Sequence, residues 1–246
     1  MIRTMKVGGI IQARMSSKRF PGKVLYPICG KPMLGYLVER LCHSRLLDIV
    51  VVATSLDPSD DPIVYFCKKT GVECHRGPLH DVAGRFKEVI IKLGLDGFLR
   101  STADSPLLDQ WLIDKAVEIF RAGTFEIVTN VLERTYPAGQ SVEVLKSDIF
   151  IKGYGSMSRL DDFEHVTKFF YDNHDDYKIY NIHSGKDHSG IQLSVDTAPD
   201  MDTVTYIISR MKKPHWEYRM EEILNMAEGY KIEKERSGRH GKGSDI

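Results

Sequence analysis

The chain has 246 residues and a mass of 28.0 kDa, enough for one good-sized domain with or without an appended subdomain. Hydrophobic residues at 42% and charged residues at 28% match ordinary globular usage and exclude a fibrous chain or wholesale disorder. With 34 basic and 34 acidic residues the net charge is zero, which argues against a general nucleic-acid binder that needs a broad basic face.

The distribution of charge says more than its sum. Residues 1–38 carry seven cations (Arg3, Lys6, Arg14, Lys18, Arg19, Lys23, Lys31) and no acid, leaving 27 cations against 34 acids in the remainder. The first part of the chain is therefore suited to an anion. The longest apolar runs, such as residues 49–53, are too short to cross a bilayer, and the first residues lack a secretory pattern, so a cytoplasmic protein is expected. Cys29, Cys42, Cys67 and Cys74 have neither CxxC spacing nor neighbouring histidines at zinc intervals, so reduced thiols are expected.

In chain order, residues 6–13 (KVGGIIQA) form a short apolar run that reads as a strand buried on both faces. Residues 32–43 follow with apolar positions three and four apart, the helical period. Residues 48–54 (DIVVVAT) read as a second strand, the turn at 57–61 (DPSDD) breaks the chain, and 62–69 read as a helix. Strands are then predicted at 72–75, 97–102 and 126–129, separated by helices at 82–93 and 110–122. After about residue 130 the rhythm breaks into a stretch rich in Gly, Ser, Asp and His that runs to 190. It reads as an insertion at about 131–190. A strand at 191–195 and a helix at 200–211 restore the alternation, and the polar tail 231–246 reads as flexible. Alternating strands and helices predict an α/β, three-layer, mostly parallel sheet of Rossmann-like layering, forming one domain over 1–230.

The segment 13–23 (ARMSSKRFPGK) leaves the first strand at its carboxyl edge, where open α/β sheets bind ligands. Arg14, Lys18, Arg19 and Lys23 with the hydroxyls of Ser16 and Ser17 suit a polyphosphate, because guanidinium gives bidentate hydrogen bonds and ammonium a mobile point charge. No GxGxxG follows the first strand, and Gly22-Lys23 lacks the hydroxyl and earlier glycine of a P-loop. Asp104, just past the strand 97–102, and Asp196, just past 191–195, are placed to share a hard divalent cation whose coordination phosphate and water complete. Cations on one loop and a metal held by carboxylates fit phosphoryl or nucleotidyl transfer.

Taken together, the segments 10–41 (IIQARMSSKRFPGKVLYPICGKPMLGYLVERL), 101–109 (STADSPLLD), 136–145 (YPAGQSVEVL), 163–172 (FEHVTKFFYD) and 194–204 (SVDTAPDMDTV) resemble the cytidylyltransferase family. That family includes spore-coat polysaccharide proteins and the 3-deoxy-manno-octulosonate and acylneuraminate cytidylyltransferases, and the spore-coat branch is the most similar. The resemblance implies a nucleotidyltransferase fold, a Mg²⁺-dependent enzyme that joins the CMP part of CTP to an acidic sugar of the 3-deoxy-2-keto class with release of pyrophosphate, and a homodimer. It assigns the triphosphate to Arg14, Ser17, Arg19 and Lys23 and the metal to Asp104 and Asp196. Arg14, Lys23 and Asp104 become the catalytic set. Gln12, Ala13 and Thr102 fall beside the nucleotide, as do Asp81 and Arg85 in the 75–85 segment, while Glu143, Glu164 and His165 fall near the acceptor pocket or dimer contact. The chain departs from the spore-coat pattern in lacking an acid near Ser141 and an arginine near Phe163, which bears on the acceptor more than on the nucleotide. A nucleotidyltransferase with another base or a non-sugar acceptor, and a non-catalytic nucleotide-binding relative in a glycan-assembly complex, remain as alternatives.

Overall fold

The computed structural model describes residues 5–240. In chain order the strands are β1 (Val7–Gln12), β2 (Pro27–Ile28), β3 (Lys31–Pro32), β4 (Ile49–Ser55), β5 (Glu73–Gly77), β6 (Gly97–Thr102), β7 (Ile127–Thr129), β8 (Glu143–Lys146) and β9 (Ile179–Asn181). The helices are α1 (Met33–Cys42), α2 (Asp61–Thr70), α3 (Val82–Leu93), α4 (Gln110–Arg121), α5 (Ser147–Tyr154), α6 (Leu160–Glu164), α7 (Lys168–Asp172), α8 (Ala198–Ser209) and α9 (Met220–His240). A seven-stranded sheet of order β5-β4-β1-β6-β8-β7-β9 forms the middle layer, and β2 and β3 make a small separate hairpin. Strands β5, β4, β1 and β6 pair in parallel, and β8 runs antiparallel to both β6 and β7.

The period-2 alternation of the strands builds two cores. Val7 and Ile11 of β1 enter one cluster with Leu99, Val128 and Val144, covered by α1, α2 and α4. Ile10 enters the opposite cluster with Phe98, Ile127 and Leu145, covered by α3, α5 and α7. A third cluster packs Met201, Val204, Ile207 and Ile223 of α8 and α9 against Ile28, Met33, Leu193 and Val195. Helix starts follow the sequence signals. Asp109 accepts from the Trp111 amide at 2.8 Å as the α4 cap, while its other oxygen takes the Met220 amide at 2.9 Å and ties α9 to α4. Thr197 and Asp200 form a capping box on α8. Among the described residues no helix is long and apolar enough to cross a membrane.

Three expectations are corrected. The span 131–190 is woven into the sheet as β8 and β9 instead of standing outside it as an insertion. Residues 191–195 form no ladder strand; they run extended, bridging Ala138 at Gln192, with the Leu193 amide on the Ala138 carbonyl at 2.8 Å and the Val195 amide on the Asp104 carbonyl at 2.8 Å. The expected flexible tail is helical as far as His240, since α9 continues through it. Tyr206 donates to Glu233 at 2.7 Å and packs its ring at a tilt against Tyr230, which anchors that extension to α8. Residues 241–246 of that tail lie outside the described residues.

The route of 191–195 depends on Gly139. Its φ is +92°, and a Cβ there would lie 2.6 Å from the backbone of Leu193 and Ser194, which cannot move aside as a side-chain tip can. Gly139→Ala is expected to lower unfolding stability by about 2–3 kcal/mol, through left-handed strain plus the clash, as read from the denaturant midpoint at unchanged m-value.

Candidate active site

The loop after β1 is fixed before any ligand enters it. The Met15 amide donates to Asp60 Oδ1 at 2.7 Å, and Asp60, fully buried, also accepts from the Ser55 amide and hydroxyl. The amides of Ser17 and Gly22 both donate to the Met15 carbonyl at 2.9 Å, closing the loop on itself, and Gly22 takes the left-handed φ of +73° that the closure requires. Its far end drives Lys23 inward to 7% exposure and leaves Arg19 on the surface.

Lys23 Nζ lies 3.2 Å from Asp196 Oδ1 and 3.6 Å from Asp104 Oδ2, and it also donates to the Val195 carbonyl. Arg19 reaches the same Asp196 oxygen at 2.8 Å. Asp104 Oδ1 accepts from Thr102 Oγ1 at 2.7 Å and from Ser105 Oγ at 3.2 Å, which fixes the rotation of the carboxylate. Three segments distant in sequence thus meet: 19–23, 102–105 and 195–196. Two carboxylates sharing one ammonium are a hard-oxygen donor pair of the kind that holds Mg²⁺ when substrate phosphates supply the other ligands. Among the described residues no group of three or more His, Cys, Asp and Glu side chains is placed to hold a metal ion.

The other predicted residues divide from this cluster. Arg14 pairs with Glu164 of α6 at 2.7 Å. Arg85 is 1% exposed, donates to the Pro78 carbonyl at 3.3 Å and keeps a buried Nε without a partner. Burial holds its guanidinium below the ordinary range, and the facing charges are Asp60, Arg14, Glu164 and Asp81. Asp81 was expected beside the nucleotide, but its carboxylate is occupied as the α3 cap: Oδ1 takes the Gly84 amide at 2.6 Å and Oδ2 the Tyr154 hydroxyl at 2.7 Å. Ala13 is buried, its amide on the Ala53 carbonyl, and Ser17 contributes its amide to the loop. His165 is exposed just past the last turn of α6.

Glu143 was expected at the acceptor pocket, and it is 2% exposed inside the structure. Arg100 NH1 donates to it at 2.6 Å and the Tyr171 hydroxyl at 2.8 Å. Burial raises the carboxyl pKa, but Arg100 with these hydrogen bonds overrides it, so Glu143 stays below the usual range and is ionised at neutral pH. Sequence reasoning missed Arg100 and Tyr171. The available signal was a lone cation in the otherwise uncharged strand 97–102. A cavity of about 1080 Å³ opens between residues 184–192, α8 and α9, and neither Lys23, Arg19, Asp104 nor Asp196 lines it.

The chain matches the family model described as cytidylyltransferase over residues 9–225. It is 30% identical over 204 residues to the spore coat polysaccharide biosynthesis protein SpsF of Bacillus subtilis, covering 79% of this chain and 83% of that protein. It is 36% identical over 115 residues to the 3-deoxy-manno-octulosonate cytidylyltransferase of Geobacter sulfurreducens, covering 46% of this chain and 44% of that one. Among solved structures, a cytidylyltransferase from Leptospira borgpetersenii superposes with a TM-score of 0.86 at 29% identity, covering 94% of this chain and 96% of its own.

The capping role of Asp81 is open to a direct check. Asp81→Ala is expected to lower stability by about 1–2 kcal/mol through the lost cap, whereas Asp81→Asn, which keeps a capping oxygen, recovers most of it in denaturant unfolding.

Proposed function

The chain belongs to the cytidylyltransferase family, and we propose that it transfers the CMP portion of CTP to an acidic sugar of the 3-deoxy-2-keto class, releasing pyrophosphate, in the synthesis of a surface polysaccharide. The observation that carries this reading is the convergence of Lys23 and Arg19 with Asp104 and Asp196 at the carboxyl edge of β1 and β6. The names of the Bacillus and Geobacter relatives support the polysaccharide role and the sugar class.

In the proposed reaction a hydroxyl oxygen of the acceptor attacks the α-phosphorus in line. The bond from that oxygen to phosphorus forms as the bond from phosphorus to the bridging oxygen of the departing pyrophosphate breaks, and the hydroxyl proton passes to solvent water. Little covalent work falls to the protein, so positioning and charge carry catalysis. Lys23 and Arg19 bind the β- and γ-phosphates and stabilise the charge that builds on departing pyrophosphate. Asp104 and Asp196 would hold Mg²⁺, which when bound supplies Lewis-acid charge neutralisation at the phosphates. Thr102 and Ser105 hold the Asp104 carboxylate in one rotamer, so little reorganisation is needed when substrate arrives. Arg14, on the other side of the loop, leaves Glu164 for the triphosphate or keeps it oriented.

Titration calorimetry with CTP, and with UTP, ATP and GTP as controls, is expected to give CTP-selective binding that depends on Mg²⁺. Binding of no nucleoside triphosphate would overturn the reading. Asp104→Asn and Asp196→Asn are expected to abolish metal-dependent pyrophosphate release while the melting temperature holds, and near-normal release from either removes it from the metal site. Lys23→Ala is expected to weaken CTP binding by about 1.5–3 kcal/mol, the scale of a hydrogen bond to a charged group; unchanged affinity would count against its phosphate role.

A further inference from the structure

A row of polar side chains crosses the α3/α5/α7 face of the sheet at its carboxyl edge. The registers Arg100↔Glu143 and Glu143↔Thr129 bring β6, β8 and β7 side by side, and Gln12 of β1 adjoins Thr102 of β6. Phe98, Leu145 and Ile127, two residues earlier or later on those strands, belong to the apolar cluster of this same face, so the row begins where the hydrophobic core ends. Glu143 is buried and held by Arg100 at 2.6 Å and Tyr171 at 2.8 Å; Tyr171 in turn shares a 2.9 Å hydrogen bond with Thr129. Arg100 extends its Nε to Gln12 Oε1 at 3.2 Å.

A guanidinium has donors only, so the atom of Gln12 that faces Arg100 must be the carbonyl oxygen. The amide is thereby fixed against a flip, and its NH₂ group must point elsewhere. Among the described residues none accepts a hydrogen bond from Gln12 Nε2, and this atom is not among the buried ones without partners, so it is open to solvent beside the loop that carries Arg14. An amide nitrogen presented in this way is a donor in search of an oxygen.

We infer that Arg100, braced by Glu143 and Tyr171, is a positioning residue that locks the Gln12 amide so that its NH₂ group donates to a carbonyl or carboxylate oxygen of the bound substrate. The inference rests on the proposed cytidylyl transfer and deepens it. That oxygen belongs either to the pyrimidine base of CTP or to the carboxylate of the sugar acid, and two measurements separate these sources. Glu143 acts through Arg100 and touches no substrate.

The test uses the full-length protein, CTP titration calorimetry, and pyrophosphate release with 3-deoxy-manno-octulosonate and other 3-deoxy-2-keto sugar acids as acceptors. Gln12→Glu keeps an oxygen facing Arg100, and so preserves the fold, but offers no N–H to the ligand; Gln12→Met removes the donor without adding charge. Both are expected to fold with wild-type melting temperature and to lose about tenfold, the value of one well-placed hydrogen bond, either in CTP affinity (base carbonyl) or in acceptor KM at unchanged CTP affinity (sugar carboxylate). Arg100→Met is expected to lose a similar factor alone and nothing further in the Gln12→Met background, because it acts through Gln12. Additive losses in the double variant would overturn the positioning role. CTP affinity, and the KM of whichever 3-deoxy-2-keto sugar acid the wild type turns over, both within about twofold of wild type in both Gln12 variants would overturn the donor role. A wild-type protein that binds no nucleoside triphosphate would instead sink the transferase reading on which the inference rests.

Discussion

The burial of one ammonium group organises this molecule's functional edge. Lys23 is almost wholly removed from water, and burying an isolated charge costs far more than a folded domain's margin of stability. Its pairing with Asp104, Asp196 and the Val195 carbonyl therefore constrains three separate segments to one another. Because three acceptors share the ammonium, the loss of any one still leaves it partnered, so the cluster as a whole fixes where the loop after β1 sits without resting on a single carboxylate. The same arrangement leaves two carboxylates and two cations within reach of one point, which is a favourable surrounding for an anionic chain carrying a divalent cation.

The second buried ion pair, Arg100 of β6 with Glu143 of β8, has a different consequence. Glu143 has no exposure to offer a ligand, yet the pair sits next to Gln12, which does. A fully hydrogen-bonded buried network fixes one geometry where an apolar contact tolerates several. The hydrogen-bonded network at the strand ends therefore adjoins the loop whose Arg14 and Arg19 are held in ion pairs with Glu164 and Asp196.

Much of the sheet was legible because its strands are buried on both faces and its helices carry the 3.6-residue stripe. β1, β4 and β6 with α1, α3 and α4 fall within a residue or two of the periodicity reading. What was not legible depends on contacts between distant residues. β8 and β9 are four and three residues long in a polar stretch, and β8 is a strand only because it fits between β6 and β7. Residues 191–195 have the β-branched and alternating look of a strand, but Gly139 admits them at a single bridge, so the segment serves as a strap that delivers Asp196. The site divided in the same way. Charge near the strand ends is legible in Asp104, Asp196, Lys23 and Arg19, and the fold brings these four together, whereas the burial of Glu143 against Arg100 and Tyr171 depends on pairing between distant segments.

Asp81 and Asp104 carry the same side chain near strand ends, and only environment separates them. The Asp81 oxygens are both taken, one by a helix amide and one by Tyr154, so the carboxylate has no free geometry to offer a cation. One Asp104 oxygen is held by Thr102 and Ser105, and the other faces Lys23 at 3.6 Å, beyond a normal hydrogen bond. The loosely held oxygen is the one a metal can take, because exchanging a long ammonium contact for a short coordination bond gives up little, whereas drawing an oxygen away from a cap would unravel the first turn of a helix. Of the two carboxylates, the fold leaves Asp104 the less completely satisfied.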